Sequence, residues 1–397
     1  MGTHRVEFLR CGPGLAAAKA DTMHRMITLL TPRCVLLQVG RVWWQFEQPE
    51  MVFAAATPTD ILPALHTIEQ AVNTQGLYAV GFLTYEAAAA FHLTTHSPSP
   101  DNLPLLWFGL FREPKILPQL PSPASSFTPT TWQPSLDAAA YTTAIQAIKD
   151  EIAQGNTYQV NFTFPLHAPF DGDAYALFHH LALAQRASYT AYFDLGTHAI
   201  CSASPELFFG LDGERLWSKP MKGTMARGRD PTTDEQNRLA LYHSDKNRAE
   251  NVMIVDMIRN DMGRICRPGS VQVPHLFATE PYPTLWQMTS TVTGMTSAPF
   301  SDIMAAMFPC ASITGAPKVR TMEIIRGLEP RPRSLYTGSI GYLAPGRQAQ
   351  FNVAIRTALV DRTAGQASYH VGSGIVWDSD AAAEWDECLL KARILEG

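Results

Sequence analysis

The sequence predicts an α+β fold, with antiparallel sheets and helices outside them. Three observations carry this. Short apolar runs recur along the chain and are joined by short turns, as paired antiparallel strands require. Helical spacing brackets groups of these runs instead of following each one. No glycine-rich dinucleotide fingerprint accompanies any strand, and Gly315-Ala316-Pro317-Lys318 lacks the preceding glycine spacing of a phosphate-binding loop.

In chain order, Val35–Val39, Leu77–Leu83 and Leu105–Phe111 read as strands, because each is a short apolar run bounded by turn residues. A segment with prolines at 114, 118, 121, 123, 129 and 134 follows, and proline blocks helix and removes a donor. We therefore divide the chain into an N-terminal part (1–112), a Pro-rich connector (113–135) and a main region (136–397). Asp137 is the expected cap of a helix carrying Tyr141, Ile145, Ile148 and Ile152, with Gly155 as its stop. The period then changes. Tyr158, Val160, Phe162, Phe164 and Leu166 alternate with Thr157, Gln159, Asn161 and Thr163, which predicts a strand with one apolar and one uncharged polar face. That polar face either meets water or walls a polar cavity. Further strands are expected at 190–193, 199–201, 207–210, 338–343, 351–360 and 368–376. Helices are expected at about 233–244, 246–261, 317–326 (with Pro317 first) and 381–395.

Composition narrows the function. The chain has 397 residues, 46% of them apolar, which is enough for a large core. Net charge is −5 and no basic run occurs, which argues against a nucleic-acid partner. No apolar stretch is long enough to span a bilayer and no secretion signal is recognisable, so a cytoplasmic protein without a membrane partner is expected. The six cysteines, at 11, 34, 201, 266, 310 and 388, form no C-x-x-C pair and read as reduced thiols.

Several side chains could carry chemistry. Lys222, between Met221 and Gly223 in a segment with few charges, is a nucleophile if its amine is kept neutral and a solvated charge if it is not. Glu206 lies in Ser204-Pro205-Glu206-Leu207-Phe208, where apolar neighbours would raise its pKa for acid catalysis. The last helix places Glu384, Glu387 and Lys391 on one side, and the helix 246–261 carries Glu250. Two helices each offering a carboxylate suit Mg2+ if they meet; a solvated face with a Glu387–Lys391 pair is the plainer reading. Thr314-Gly315-Ala316-Pro317 leaves backbone N–H groups open at a helix start, either as an anion site or as an ordinary cap. Arg356, in an apolar strand, needs a partner such as a ligand carboxylate, and Gly372-Ser373-Gly374 permits either close ligand approach or a bulge.

Taken in order, the blocks carry more than any one of them. Tyr158-Gln159-Val160-Asn161, Ser204 to Phe208, Arg248-Ala249-Glu250-Asn251, Asp256 to Asp261, Ser312 to Lys318, Gly338 to Tyr342, Ile355-Arg356-Thr357, Gly372 to Val376 and Glu384 to Ala392 follow one another over some 250 residues. From about Tyr141 to Leu395 this series resembles the chorismate-utilising enzymes, with Gly81 to Glu86 the clearest match before it. The resemblance implies one α+β unit of two antiparallel sheets packed face to face, and Mg2+-dependent chemistry on chorismate. It implies Lys222 as nucleophile and Glu206 as general acid, with Mg2+ on Glu250 and Glu387 and with Glu384 beside them. It assigns substrate binding to Gln159, Thr224, Ser312, Thr314, Gly315, Arg356, Gly372 and Gly374.

Two positions choose the branch. Pro-x-Lys-Gly-Thr, here with Lys222, resembles members that aminate chorismate to 4-amino-4-deoxychorismate, the precursor of 4-aminobenzoate in folate synthesis; anthranilate-forming members have Ala there. Members that hydroxylate have a lysine base where this chain has Gln159, and a neutral amide cannot deprotonate water. The rival readings are an anthranilate-forming component I and a non-catalytic chorismate-binding subunit. Two residues depart from the pattern: Asn247 replaces a carboxylate and Gln287 replaces a histidine. No cysteine sits in a Gly-x-Cys-x-Gly elbow, so ammonia is expected from solution or from a separate glutamine amidotransferase subunit. No fused lyase domain is expected.

Overall fold

The computed structural model describes residues 32–98, 103–128, 131–282 and 285–395. Among these, two ten-stranded sheets are present and every pairing is antiparallel. The first runs Gly315–Ala316, Gln159–Pro169, Gln366–Ile375, Thr357–Asp361, His198–Ser204, Tyr189–Asp194, Cys34–Val39, Val42–Phe46 and Lys115–Leu117, with Gln133–Pro134 also on Gln159–Pro169. The second runs Met221–Ala226, Leu285–Met295, Arg215–Lys219, Leu207–Asp212, Gln348–Asn352, Ser339–Ala344, Tyr78–Leu83, Leu106–Phe111 and Met51–Ala55, with Gln272–Pro281 also on Leu285–Met295.

Alternation of side chains gives each sheet two buried faces. Between the sheets, Val35, Leu37, Phe193 and Ile200 of the first meet Phe82, Trp107, Ile340 and Tyr342 of the second. Outside the first sheet, Val160, Phe162 and Phe164 pack under the helices Ala138–Ala153, Ala174–Gln185 and Ala381–Ala392. Outside the second, Phe209, Phe351 and Leu216 pack under the helices Pro58–Gln75, Asp245–Gly263 and Phe300–Met307. The order of layers is therefore helix, sheet, sheet, helix, as the α+β reading expects.

The N-terminal strands belong to both sheets. Cys34–Val39 pairs with Tyr189–Asp194, and Tyr78–Leu83 pairs with Ser339–Ala344. The connector runs along the first sheet, where Lys115–Leu117 and Gln133–Pro134 add short pairings. Asp137 caps its helix as expected, accepting from the Ala140 N–H at 2.8 Å. Cys11 lies outside the described residues, and the other five cysteines are free thiols.

Three expectations need correction. The strand expected at 351–360 is two strands, Gln348–Asn352 in the second sheet and Thr357–Asp361 in the first. The chain crosses between sheets through 353–356, and Arg356 turns it at φ 52°, so Arg356 stands at a corner and not within a strand. Tyr158 is 68% exposed; the strand begins at Gln159, and Tyr158 instead donates its N–H to the Ala316 carbonyl at 2.7 Å. Pro317 is the cap of the helix Lys318–Leu328, one position before its first turn.

Candidate active site

The polar face of Gln159–Pro169 does not meet water. Gln159 is fully buried, and Asn161 and Thr163 are buried beside it. Both polar atoms of the Gln159 amide lack a partner. A buried amide without partners costs free energy unless a ligand or water completes it, so this face walls a polar chamber. Gly374 pairs with Asn161 on the neighbouring strand. A Cβ at Gly374 would lie 2.5 Å from Gln159 Nε2, 3.0 Å from Lys222 Nζ and 3.1 Å from Asn161 Oδ1. That single point brings the Lys222 amine onto the polar strand, and a side chain at 374 would have to push it and the Gln159 amide aside.

Lys222 reaches the chamber from the edge of the second sheet. Its strand, Met221–Ala226, pairs with Leu285–Met295 through a register shift between Met221 and Thr224. The extra residue is a β-bulge, a device that re-aims a side chain. Among the described residues the amine has no hydrogen bond or ion pair within 4 Å. Burial pushes its pKa below the ordinary lysine range, against the opposing charges of Glu250 and Glu206. Glu206, 4% exposed, precedes the strand Leu207–Asp212. Burial raises its carboxyl to about 7, although the Ser312 hydroxyl and the Lys222 charge act the other way. Its Oε1 has no partner. A carboxyl whose pKa is raised and an amine whose pKa is lowered thus share one chamber, each moved toward its neutral form by lost hydration.

Glu250 of the helix Asp245–Gly263 lies near enough to Glu384 and Glu387 of the last helix to feel their charges, a meeting that the sequence left open. Glu250 feels the charges of Lys222, Glu384 and Glu387, and burial raises its pKa. Glu387 pairs with Lys391 at 2.6 Å. Partial burial works to raise the Glu387 carboxyl, but the Lys391 ammonium overrides it and holds it low. Glu384 accepts from the Ser379 hydroxyl at 2.8 Å. This oxygen-only donor set suits Mg2+. Among the described residues no three His, Cys, Asp or Glu side chains close into a cage.

The remaining expected residues divide. Ser312 is buried against Glu206. Gly372 gives its carbonyl to Lys391 Nζ at 2.8 Å. Gly315 has φ 148°, and a Cβ there would lie 2.0 Å from the Gln159 carbonyl oxygen, so close approach to the strand Gln159–Pro169 requires glycine. Thr314 spends its hydroxyl on the Cys310 and Ala311 carbonyls. Thr224 is exposed and donates to Gln287. Arg356 donates to the Lys391 carbonyl. An open cavity of about 1090 Å3 lies beside Tyr158, Arg248, Val252 and Pro317; neither Lys222 nor Glu206 lines it, so it is not the reaction chamber.

Sequence reasoning missed the support beneath the chamber. Arg333 and Glu329 form a pair at 2.7 Å, 1% and 4% exposed. Arg333 also donates to the Asn161 and Ile313 carbonyls, and Glu329 accepts from the Thr163 N–H and hydroxyl. One guanidinium thus ties the polar strand to the segment carrying Ser312. Its spacing of four from Glu329 on a Pro-rich loop gave no signal of burial.

The sequence matches the model of the chorismate binding enzyme family over residues 33–397, and the chain belongs to that family. Among its curated relatives, aminodeoxychorismate synthase component 1 of Salmonella typhimurium is 42% identical over 269 residues, covering 67% of this chain and 59% of that protein. The protein of the same name from Escherichia coli is 41% identical over 279 residues, covering 69% and 61%. The chain thus spans about three fifths of the length of these relatives. Two solved structures share the fold at a TM-score of 0.74. Anthranilate synthase component I of Streptococcus pneumoniae is 23% identical, with 92% of this chain and 90% of that one covered. A putative 2,3-dihydroxybenzoate-specific isochorismate synthase of Bacillus anthracis is 19% identical, with 94% and 98% covered.

Proposed function

We propose that the chain aminates chorismate with ammonia to give 4-amino-4-deoxychorismate. The observation that carries this reading is the unpaired Lys222 amine in one chamber with Glu206, whose carboxyl stays protonated to about pH 7. The names of the curated relatives agree with it.

In the reaction the neutral Lys222 amine adds at C2 of the ring. The two ring double bonds shift, and the C4 hydroxyl leaves as water with the proton that Glu206 donates. Ammonia then adds at C4, the double bonds return, and the Lys222–C2 bond breaks to free the amine. Ammonia loses one proton in this step, which restores Glu206. Glu250 and Glu387, with Glu384 beside them, would hold Mg2+ on the ring carboxylate. When bound, the metal supplies charge neutralisation and a fixed substrate pose. Gln159 offers its open amide to a polar ring substituent, and Gly372 and Gly374 keep the strand close. Ammonia comes from solution or from a separate glutamine amidotransferase subunit.

The test is incubation with chorismate, Mg2+ and ammonium salt, with products identified by mass. Aminodeoxychorismate supports the reading; anthranilate or unchanged chorismate refutes it. Lys222→Ala should abolish or redirect the amination, and an unchanged rate and product would remove the nucleophile.

A further inference from the structure

Gln287 and Asn247, the two positions that departed from the sequence pattern, meet at the same residue. Gln287 Nε2 donates to the Gly223 carbonyl at 2.8 Å, and its Oε1 accepts from the Thr224 hydroxyl at 3.2 Å. Gly223 has φ +92°, and a Cβ there would lie 3.0 Å from the Asn247 side chain. Asn247 is fixed in turn by a bond from its Nδ2 to the Ser244 hydroxyl at 2.9 Å. The residue between Met221 and Gly223 is Lys222.

We propose that Gln287 is a positioning residue for Lys222: its amide clips the bulge at Lys222–Gly223 against the wall made by Asn247, and so aims the lysine at Gly374 and Gln159. The strand Met221–Ala226 pairs only with Leu285–Met295 among the described residues, so no second strand holds its register; the Asn237 amide bonds the Ala226 carbonyl only at its far end. Leu285–Met295 is itself held on both sides, by Gln272–Pro281 and by Met221–Ala226 with Arg215–Lys219. Gln287 therefore clamps from a rigid strand onto a loosely held one. Losing the bulge slips Lys222 by one residue, and a one-residue slip turns a side chain to the opposite face. Both polar ends of the Gln287 amide are spent on Gly223 and Thr224, so it acts through Lys222.

This inference rests on Lys222 being the nucleophile, and the test separates the two. Gln287→Leu keeps the size and removes both bonds. Expected is a fall in kcat of about ten- to thirty-fold, the worth of two ordinary hydrogen bonds, with KM for chorismate within about two-fold. Gln287→His, which restores a donor, should recover most of kcat. In the free protein without substrate or metal, Gln287→Leu should speed amide hydrogen exchange at 221–226 and leave 215–219 unchanged. Unchanged exchange at 221–226, or a kcat equal to wild type while Lys222→Ala is inactive, overturns the clamp and leaves the nucleophile standing. Full amination by Lys222→Ala overturns both.

Discussion

Glu206→Gln separates the cost of keeping an acid in the chamber from its use. Glu206 is 4% exposed, and burial moves its carboxyl from 4.5 to about 7. The folded state therefore holds a proton that the unfolded chain has released. For a group raised in this way, the stability it contributes is complete below pH 4.5 and is lost as pH rises to about 7. Each tenfold change in proton affinity is worth about 1.4 kcal/mol, so ionising Glu206 in place costs roughly 3 kcal/mol. Glutamine has the same shape and no proton to lose. Urea unfolding of both proteins in chelator, at pH 5 and pH 8, measures the difference. The variant should gain on the wild type by about 2–3 kcal/mol between the two, while its amination rate at pH 7 falls by about 10²- to 10⁴-fold, the usual worth of a general acid. A stability difference that is the same at both pH values would refute the claim that Glu206 is neutral because it is buried.

The amination rate should fall as pH rises above about 7, because Glu206 loses its proton there; a profile flat across that range would remove its role as the acid. Gly374→Ala places a methyl 3.0 Å from Lys222 Nζ and 2.5 Å from Gln159 Nε2, both flexible ends, so activity should collapse while the thermal midpoint moves little. Arg333→Met leaves Glu329 buried without its partner and should cost about 3–5 kcal/mol in denaturant unfolding. Glu387→Gln should weaken the dependence of the rate on added Mg2+, read by titration against wild type.

The fold was legible where periodicity was clean. The switch from Ile145, Ile148 and Ile152 to Val160, Phe162 and Phe164 marks a helix and then a strand, and both are present. The helix Ala174–Gln185 escaped notice because apolar residues nearly all round leave no stripe to read. The helix Pro58–Gln75 did carry a stripe, with Ile61, Leu65, Ile68 and Val72 buried, and its internal Pro63 hides it. The strand at 351–360 was read as one because both halves are apolar; nothing local says that the chain changes sheets between Asn352 and Thr357. In the site, Lys222 and Glu206 stood out by their neighbours in sequence. Their convergence with Gly374 and Gln159 comes from pairings across more than 150 residues, which no local pattern encodes. Arg333 could not be found at all, since its burial depends on Asn161 and Ile313 carbonyls brought from other elements.

The strand that backs the chamber, Gln366–Ile375, is inserted between Gln159–Pro169 and Thr357–Asp361. During synthesis its neighbour Gln159–Pro169 emerges some two hundred residues earlier and must wait, one edge bare, for that late arrival. A ribosome paused before residue 366 would hold a nascent chain with an open, sticky flank, and that interval is where chaperone capture or misassembly should concentrate.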